Sequence, residues 1–434
     1  TIAFQVDVGS QIFLAELILP CVAAIVFLRR RVARLSRDLS LVMKIGCAYF
    51  LCQFASDLWN ETLYEQYSRG WARILLFLLN LASIYIIVNN NRSRLILFCL
   101  GFALGRVWIT FAGLEGDVIP WKIGLAKPVA MLVILLCVVL PMSVTSRSYA
   151  SALALACLGL FDILMDFRSH GSVLLLASMI MLTSTFIRTQ PGKRPKMRLH
   201  TALGLLLGVT IAGLAASEFY RHAATSGWLS ENATNKYKTQ VEDADAPLII
   251  AGRSEVLVYF EAIFDSILIG HGSWPRNAYY ADMLAERRYD RGLSNSPAQA
   301  ADDAIPLHSH IFGSWIEAGL MGGLFWANIL LLIVRSLLRS SEGRSELRPL
   351  YLYGAMLLAW DILFSPFSGF RRLETALLLV ILLRSLLQRQ PQMLSRRLMK
   401  FRRSRTKRGL GEKERRRVPL RPRRRRRSRS YQPV

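Results

Sequence analysis

The sequence predicts an all-α polytopic membrane protein with about 11–12 transmembrane helices and one large segment outside the bilayer. Three observations predict it. The 434 residues are 53% hydrophobic and the mean hydropathy is +0.31, too apolar for a soluble chain of this length. Apolar runs near the roughly 20 residues that span a bilayer recur along the chain. A polar stretch at 217–307 interrupts them once.

Eleven runs qualify, some of them short: 11–28, 39–58, 72–88, 95–113, 126–144, 149–165, 172–187, 199–216, 311–334, 350–365 and 374–387. The short connections alternate in charge. One set carries Arg29, Arg30, Arg31, Arg34 and Arg37, then Arg92 and Arg94, Arg147, Arg188 to Arg198, and Arg335 to Arg348. The other set is poorer in cations and mixed in sign, with Glu61, Glu65, Glu115, Asp117 and Asp166. The positive-inside bias makes the first set cytoplasmic. The C-terminus is then inside, and 217–307 is a large loop on the outside. Eleven spans place Thr1 outside; a further helix upstream would bring the N-terminus inside. The organisation expected is transmembrane helices 1–8 in 1–216, the exterior loop in 217–307, helices 9–11 in 308–387, and a basic tail in 388–434.

That tail holds 20 Lys/Arg against two Glu, which accounts for most of the net charge of +25. A run such as Arg423 to Arg427 predicts a solvated, disordered cytoplasmic tail drawn to anionic lipid headgroups. It lacks the aromatic interleaving and the folded basic module of a nucleic-acid binder. The six cysteines all fall in apolar runs and read as small core residues, not as disulfides or metal ligands.

The exterior loop is too long for a mere connection. Its first third is polar. After Ala251-Gly252-Arg253-Ser254, the positions Val256, Leu257, Tyr259, Phe260, Ile263, Phe264, Ile267 and Leu268 follow helical spacing. They predict an amphipathic helix at the membrane surface, ended by the glycine turn Gly270-His271-Gly272. A second, polar helix is predicted over 277–291.

The chemistry-bearing stretch runs from His308 to Gly323, where the loop re-enters the membrane. Ser309 suits an N-cap. His308 then stands just outside the helix at its positive end, a place suited to a general base. His310 and Glu317 are seven apart and share a face. Glu317 lies inside the membrane and must be neutralised or paired. Gly319, Gly322 and Gly323 permit close helix packing. His308 and His310 with Asp302 and Asp303 make a weak metal set, lacking a well-spaced third ligand, so no metal is expected. His200, at a helix end, and His222, at the start of the loop, read as incidental, and His271 as structural. Arginines on the exterior side run against the orientation bias: Arg168, Arg253, Arg276, Arg371 and Arg372. A guanidinium fork recognises phosphate bidentately. Together with a histidine base, these residues point to a lipid-phosphate substrate. Intramembrane Glu16, Asp57, Asp162 and Asp361 open a different class, a transporter of lipid-linked glycans.

The stretch resembles the signature of the bacterial O-antigen ligase and O-antigen polymerase superfamily: a histidine, a glutamate nine later, and glycines at plus eleven and plus fourteen. His308, Glu317, Gly319 and Gly322 fit each offset. The family also places an arginine in its large periplasmic loop, before an amphipathic helix and a Gly-x-Gly turn, and Arg253 and Gly270-His271-Gly272 fit that. A further arginine motif is matched more loosely by Arg168-Ser169-His170-Gly171, where Arg168 or His170 could serve. The resemblance implies a GT-C-like glycosyltransferase of the bacterial inner membrane that uses neither metal nor cofactor, with its active site on the periplasmic side. Its donor would be a glycan on undecaprenyl diphosphate, held by Arg253 and Arg168. His308 would be the base, with His310, Glu317 and His170 in supporting positions. The acceptor would be a lipid A–core hydroxyl for a ligase. For an O-antigen or exopolysaccharide polymerase it would be a second lipid-linked repeat.

Overall fold

The computed structural model describes residues 5–7, 11–29, 35–113, 120–189, 254–291, 303–305, 307–342 and 345–387, and three isolated positions at 222, 226 and 234. A short antiparallel hairpin, β1 (Gln5–Asp7) with β2 (Gln11–Phe13), leads into α1 (Leu14–Arg29). Then follow α2 (Arg37–Trp59), α3 (Tyr64–Val88), α4 (Arg92–Phe111), a π-helical turn (Pro120–Leu125) running into α5 (Ala126–Val139), α6 (Val144–Leu164) and α7 (Arg168–Thr189). Beyond the polar stretch come α8 (Val256–Asp265), α9 (Ala278–Tyr289), α10 (His310–Ala318), α11 (Leu320–Glu342), α12 (Arg348–Phe364) and α13 (Gly369–Leu387). Several starts have the local chemistry that starts helices. The Ser36 hydroxyl accepts from the Leu39 N–H at 3.2 Å, Asn91 from Arg94 at 3.1 Å, and Ser143 from Ser146 at 3.0 Å.

Among the described residues, seven helices are long and apolar enough to cross a membrane: α2, α3, α4, the π turn with α5, α6, α7 and α11. The chain is a multi-pass membrane protein. Two of the other expected spans are shorter helices, 16 residues in α1 and 17 in α12. The third, α13, carries Arg371, Arg372 and Glu374 in its first two turns. The expected span at 199–216 and the tail at 388–434 lie outside the described residues. Glycine lets α6 and α7 approach closely: a Cβ on Gly171 would stand 2.5 Å from the Gly159 carbonyl oxygen, the small-residue contact common between membrane helices.

The expectation of one span over 311–334 is corrected. The chain breaks at Gly319 into a nine-residue helix, α10, and the long α11. Gly319 has φ +64° and ψ −155°, a region open essentially to glycine alone. A Cβ there would fall 2.1 Å from the Leu268 carbonyl oxygen. The break therefore comes from the 254–274 segment pressing on the chain. The amphipathic helix also ends earlier than expected: α8 stops at Asp265, and turns carry the chain from Ser266 to Gly270.

The bundle has two unlike ends. At one, Arg348 of α12 reaches Ser148 at the start of α6 at 3.0 Å and Thr185 near the end of α7 at 2.8 Å. Nearby, Arg92 pairs with Glu346, and Arg335 with Asp38 at 3.2 Å. At the other end, α2 and α12 meet the 254–319 segment, and most of the buried carboxylates gather there.

Candidate functional site

The turn after α8 is the base of this polar end. The His271 N–H donates to the Ile316 carbonyl at 2.7 Å and the Gly272 N–H to the Glu317 carbonyl at 3.1 Å, so the turn is stitched to the last residues of α10. From α2, Ser56 donates to the Glu317 carbonyl at 2.8 Å and accepts from the Gly272 N–H at 3.0 Å. Asp57 accepts from the Ser273 N–H at 2.5 Å, the Ser273 hydroxyl at 2.9 Å and Trp71 Nε1 at 2.8 Å. His271 Nε2 donates to the Ala262 carbonyl at 2.6 Å, tying the turn back to α8. With Gln53 Nε2 donating to Asp57 as well, at 3.4 Å, a carboxylate accepting four hydrogen bonds this far inside is well stabilised.

Glu317 sits at the centre of the stitching. Its carboxylate is fully enclosed and pairs with Arg73 of α3. Its Oε1 accepts from the Trp274 N–H at 3.2 Å. Arg73 also donates to the Phe367 carbonyl at 3.2 Å and lies 4.4 Å from the centre of the Trp274 ring, within cation–π range. Glu317 thus holds α3, α10 and the 270–274 turn together.

At the opposite end of α10 the geometry is open. Ser309 caps the helix, accepting from the Phe312 N–H at 3.3 Å, and donates to the Ile362 carbonyl of α12 at 3.0 Å. His308 stands immediately before the cap. Its N–H donates to Tyr259 Oη of α8 at 2.9 Å. Its side chain is 45% exposed, yet its Nδ1 is buried without a hydrogen-bond partner. The exposed edge of the ring is therefore the one carrying Nε2. Facing Nδ1 at 3.5 Å is Oε1 of Glu255, a residue buried at the start of α8.

His310 is different. It is completely buried, donates from Nδ1 to the Ser365 carbonyl at 2.6 Å, and packs between Trp326 and Phe367. His308 and His310 thus face separate surroundings, and Asp303 lies with Arg276. Among the described residues no group of three or more His, Cys, Asp or Glu side chains is arranged to hold a metal. Next to His310, Ser365 donates to Asp361 at 2.8 Å. Asp361 also meets Arg371 at 2.7 Å and Lys127 at 3.3 Å, and Lys127 reaches Glu374 at 3.1 Å.

The looser arginine motif is corrected. Arg168 and His170 belong to the first turn of α7, not to a connection. His170 is buried, donates from Nδ1 to Asp162 at 2.6 Å, and has its Nε2 3.3 Å from Tyr353 Oη. It is part of the helix packing and has no open face for a ligand. Arg168 is part-exposed and near Asp166 at 3.7 Å. Arg253 lies outside the described residues. Of the other exterior arginines, Arg372 is buried against Glu16, at 2.7 Å.

The helix pair above the site is clasped by charge. Arg287 of α9 pairs with Glu261 and donates to the Leu257 carbonyl of α8. The Arg287 hydrogen bond holds the Glu261 carboxyl below its ordinary range. Tyr280 donates to Asp265 at 2.5 Å; burial, then this bond, push its phenol above the ordinary range. Sequence reasoning missed Arg73 and Glu255. An arginine about two and a half turns into an apolar helix needs a partner, and that signal could have found Arg73. Glu255 had no local signal. Compared with models of protein families, with curated proteins and with solved structures, the chain gives no match.

Proposed function

We propose that the protein is a membrane glycosyltransferase of the O-antigen ligase type, working at the end of the bundle that carries α8 to α10. The observation that carries this reading is His308: a half-exposed imidazole fixed at the start of a capped helix, its buried nitrogen toward a carboxylate and its other nitrogen open. In the proposed reaction the acceptor hydroxyl loses its proton to His308 Nε2. The hydroxyl oxygen bonds to the anomeric carbon, and the bond from that carbon to the diphosphate oxygen breaks, with inversion. Undecaprenyl diphosphate leaves, its charge balanced by Arg168 and Arg253. The acceptor is a lipid A–core hydroxyl. The clustering of Lys/Arg at the Arg348 end supports placing that end in the cytoplasm and the site on the periplasmic side of a bacterial inner membrane.

The four buried acids that raised the transporter reading have fixed partners: Glu16 with Arg372, Asp57 with Ser273 and Trp71, Asp162 with His170, and Asp361 with Arg371 and Lys127. Their pairing favours a static scaffold around an enzyme site. Protein in lipid nanodiscs, given lipid-linked glycan and lipid A–core, should form glycosylated lipid A–core. His308→Ala should lower the rate by roughly 100-fold or more while melting at the wild-type temperature. Full activity in that variant would remove His308 as the base. Chain lengthening in the absence of lipid A–core would assign the same chemistry to a polymerase.

A further inference from the structure

Glu255 immediately precedes α8, where side chains commonly cap the helix, but its carboxylate makes no capping hydrogen bond. The side chain is only 10% exposed. Its Oε2 is buried without a hydrogen-bond partner among the described residues. Such a group is costly to keep, and in native proteins it calls for an explanation. Its Oε1 lies 3.5 Å from His308 Nδ1, which is also buried and unpartnered. Two incompletely satisfied polar groups from segments 53 positions apart in sequence therefore face one another, slightly beyond hydrogen-bond length.

Their register is fixed by a second contact. Tyr259 follows Glu255 by one helical turn and so lies on the same side of α8. Its Oη accepts the His308 N–H at 2.9 Å, and its ring packs on Phe312 of α10, with centroids 5.3 Å apart. One face of α8 thus grips the backbone of His308 with Tyr259 and addresses the imidazole with Glu255. Among the described residues, Glu255 is the charged group facing the ring. Tyr259 touches the backbone, and the Ser309 hydroxyl is committed to its cap and to Ile362.

We propose that Glu255 is a positioning residue for His308: its carboxylate keeps the ring proton on Nδ1, leaving the Nε2 lone pair toward the acceptor hydroxyl. This rests on the reading of His308 as the base. A carboxylate in this place fixes tautomer and ring orientation, and stabilises the imidazolium formed when the acceptor proton arrives. A purely structural ion pair would need neither the open ring edge nor the unpartnered Oε2.

The test uses the full chain in nanodiscs with lipid-linked glycan and lipid A–core, comparing Glu255→Gln, Glu255→Asp and His308→Ala. Glu255→Gln should lower kcat roughly ten- to a hundredfold with an unchanged KM for the donor. Glu255→Asp should restore part of kcat. Wild-type kcat in Glu255→Gln, while His308→Ala is inactive, overturns the role of Glu255 alone. Activity in His308→Ala overturns the reading beneath it. Should Glu255→Gln fail to fold, Glu255→Asp carries the test: a lowered kcat at unchanged donor KM supports the role, and a wild-type kcat overturns it.

Discussion

The two ends of α10 treat polar groups in opposite ways. At its last turn, Glu317 pairs with Arg73, accepts from the Trp274 N–H, and has its carbonyl bonded by Ser56 and Gly272. Before its first turn, His308 faces Glu255 at 3.5 Å, with buried oxygen and nitrogen left over on the two groups. The helix is only nine residues long, so both arrangements share one rigid body. A buried carboxylate paired with a cation and accepting a backbone N–H specifies a geometry. A carboxylate and an imidazole left short of one another are where chemistry is to be sought. Fixing the bottom of α10 to α2 and α3 fixes the place of the cap at its top.

The largest expected effect follows from breaking the charge-paired end. Arg73→Ala leaves the Glu317 carboxylate enclosed without its cation, and removing one partner of such a pair costs about 3–5 kcal/mol. A thermal melt in detergent should show a clearly lowered transition, with activity lost because α10 is no longer held. Arg73→Met combined with Glu317→Leu should recover much of the melting temperature, since a packed apolar pair replaces the ion pair. A single variant as stable as wild type would mean that Glu317 does not bind the region together.

A smaller effect is expected at the break between α10 and α11. Gly319→Ala must accommodate both a left-handed φ of +64° and the Leu268 carbonyl oxygen at 2.1 Å from the added carbon. The cost should be about 1–3 kcal/mol. Gly101→Ala in α4 is the control, since a Cβ there meets nothing within 4 Å, and its melt should match or slightly exceed wild type. If the two alanine variants melt alike, the pressure of the 254–274 segment does not make the break.

How much of this was readable in the sequence follows from how local each cause is. Hydropathy located the spanning helices because lipid imposes the same length and composition on each. The Ser309 cap was legible because its partner is three residues away. The break at Gly319 was not, because it depends on the carbonyl of Leu268, 51 positions earlier; the glycine spacing read equally well as close packing within a single helix. Glu317 showed that it needed a partner without naming one, and Arg73 lies 244 positions away, joined to it only by the fold. His170 looked like a ligand-facing residue in a short connection. Its pairing with Asp162 and Tyr353 is a helix–helix contact that sequence spacing alone does not disclose. For the Glu255–His308 pair, nothing local marks either residue as the other's partner.

The smallest expected effect separates that pair from another carboxylate–cation contact on the same helix. Glu261 and Arg287 clasp α8 to α9, but their side chains are 40% and 31% exposed, so water and salt screen them. Glu261→Gln should cost no more than a few tenths of a kcal/mol. Because Arg287 lowers the Glu261 pKa in the folded protein, the contribution is present above the unfolded Glu value of about 4.3. It is lost as pH falls through the lower folded value. Amide protection factors across 254–291, corrected for the pH dependence of intrinsic exchange, should therefore fall on acidification in the wild type, and less so in Glu261→Gln. The kcat of transfer should stay at the wild-type value in this variant. If it falls as far as in Glu255→Gln, the loss reports the general charge of α8, and the distinction between a screened surface clasp and a carboxylate aimed at His308 is lost.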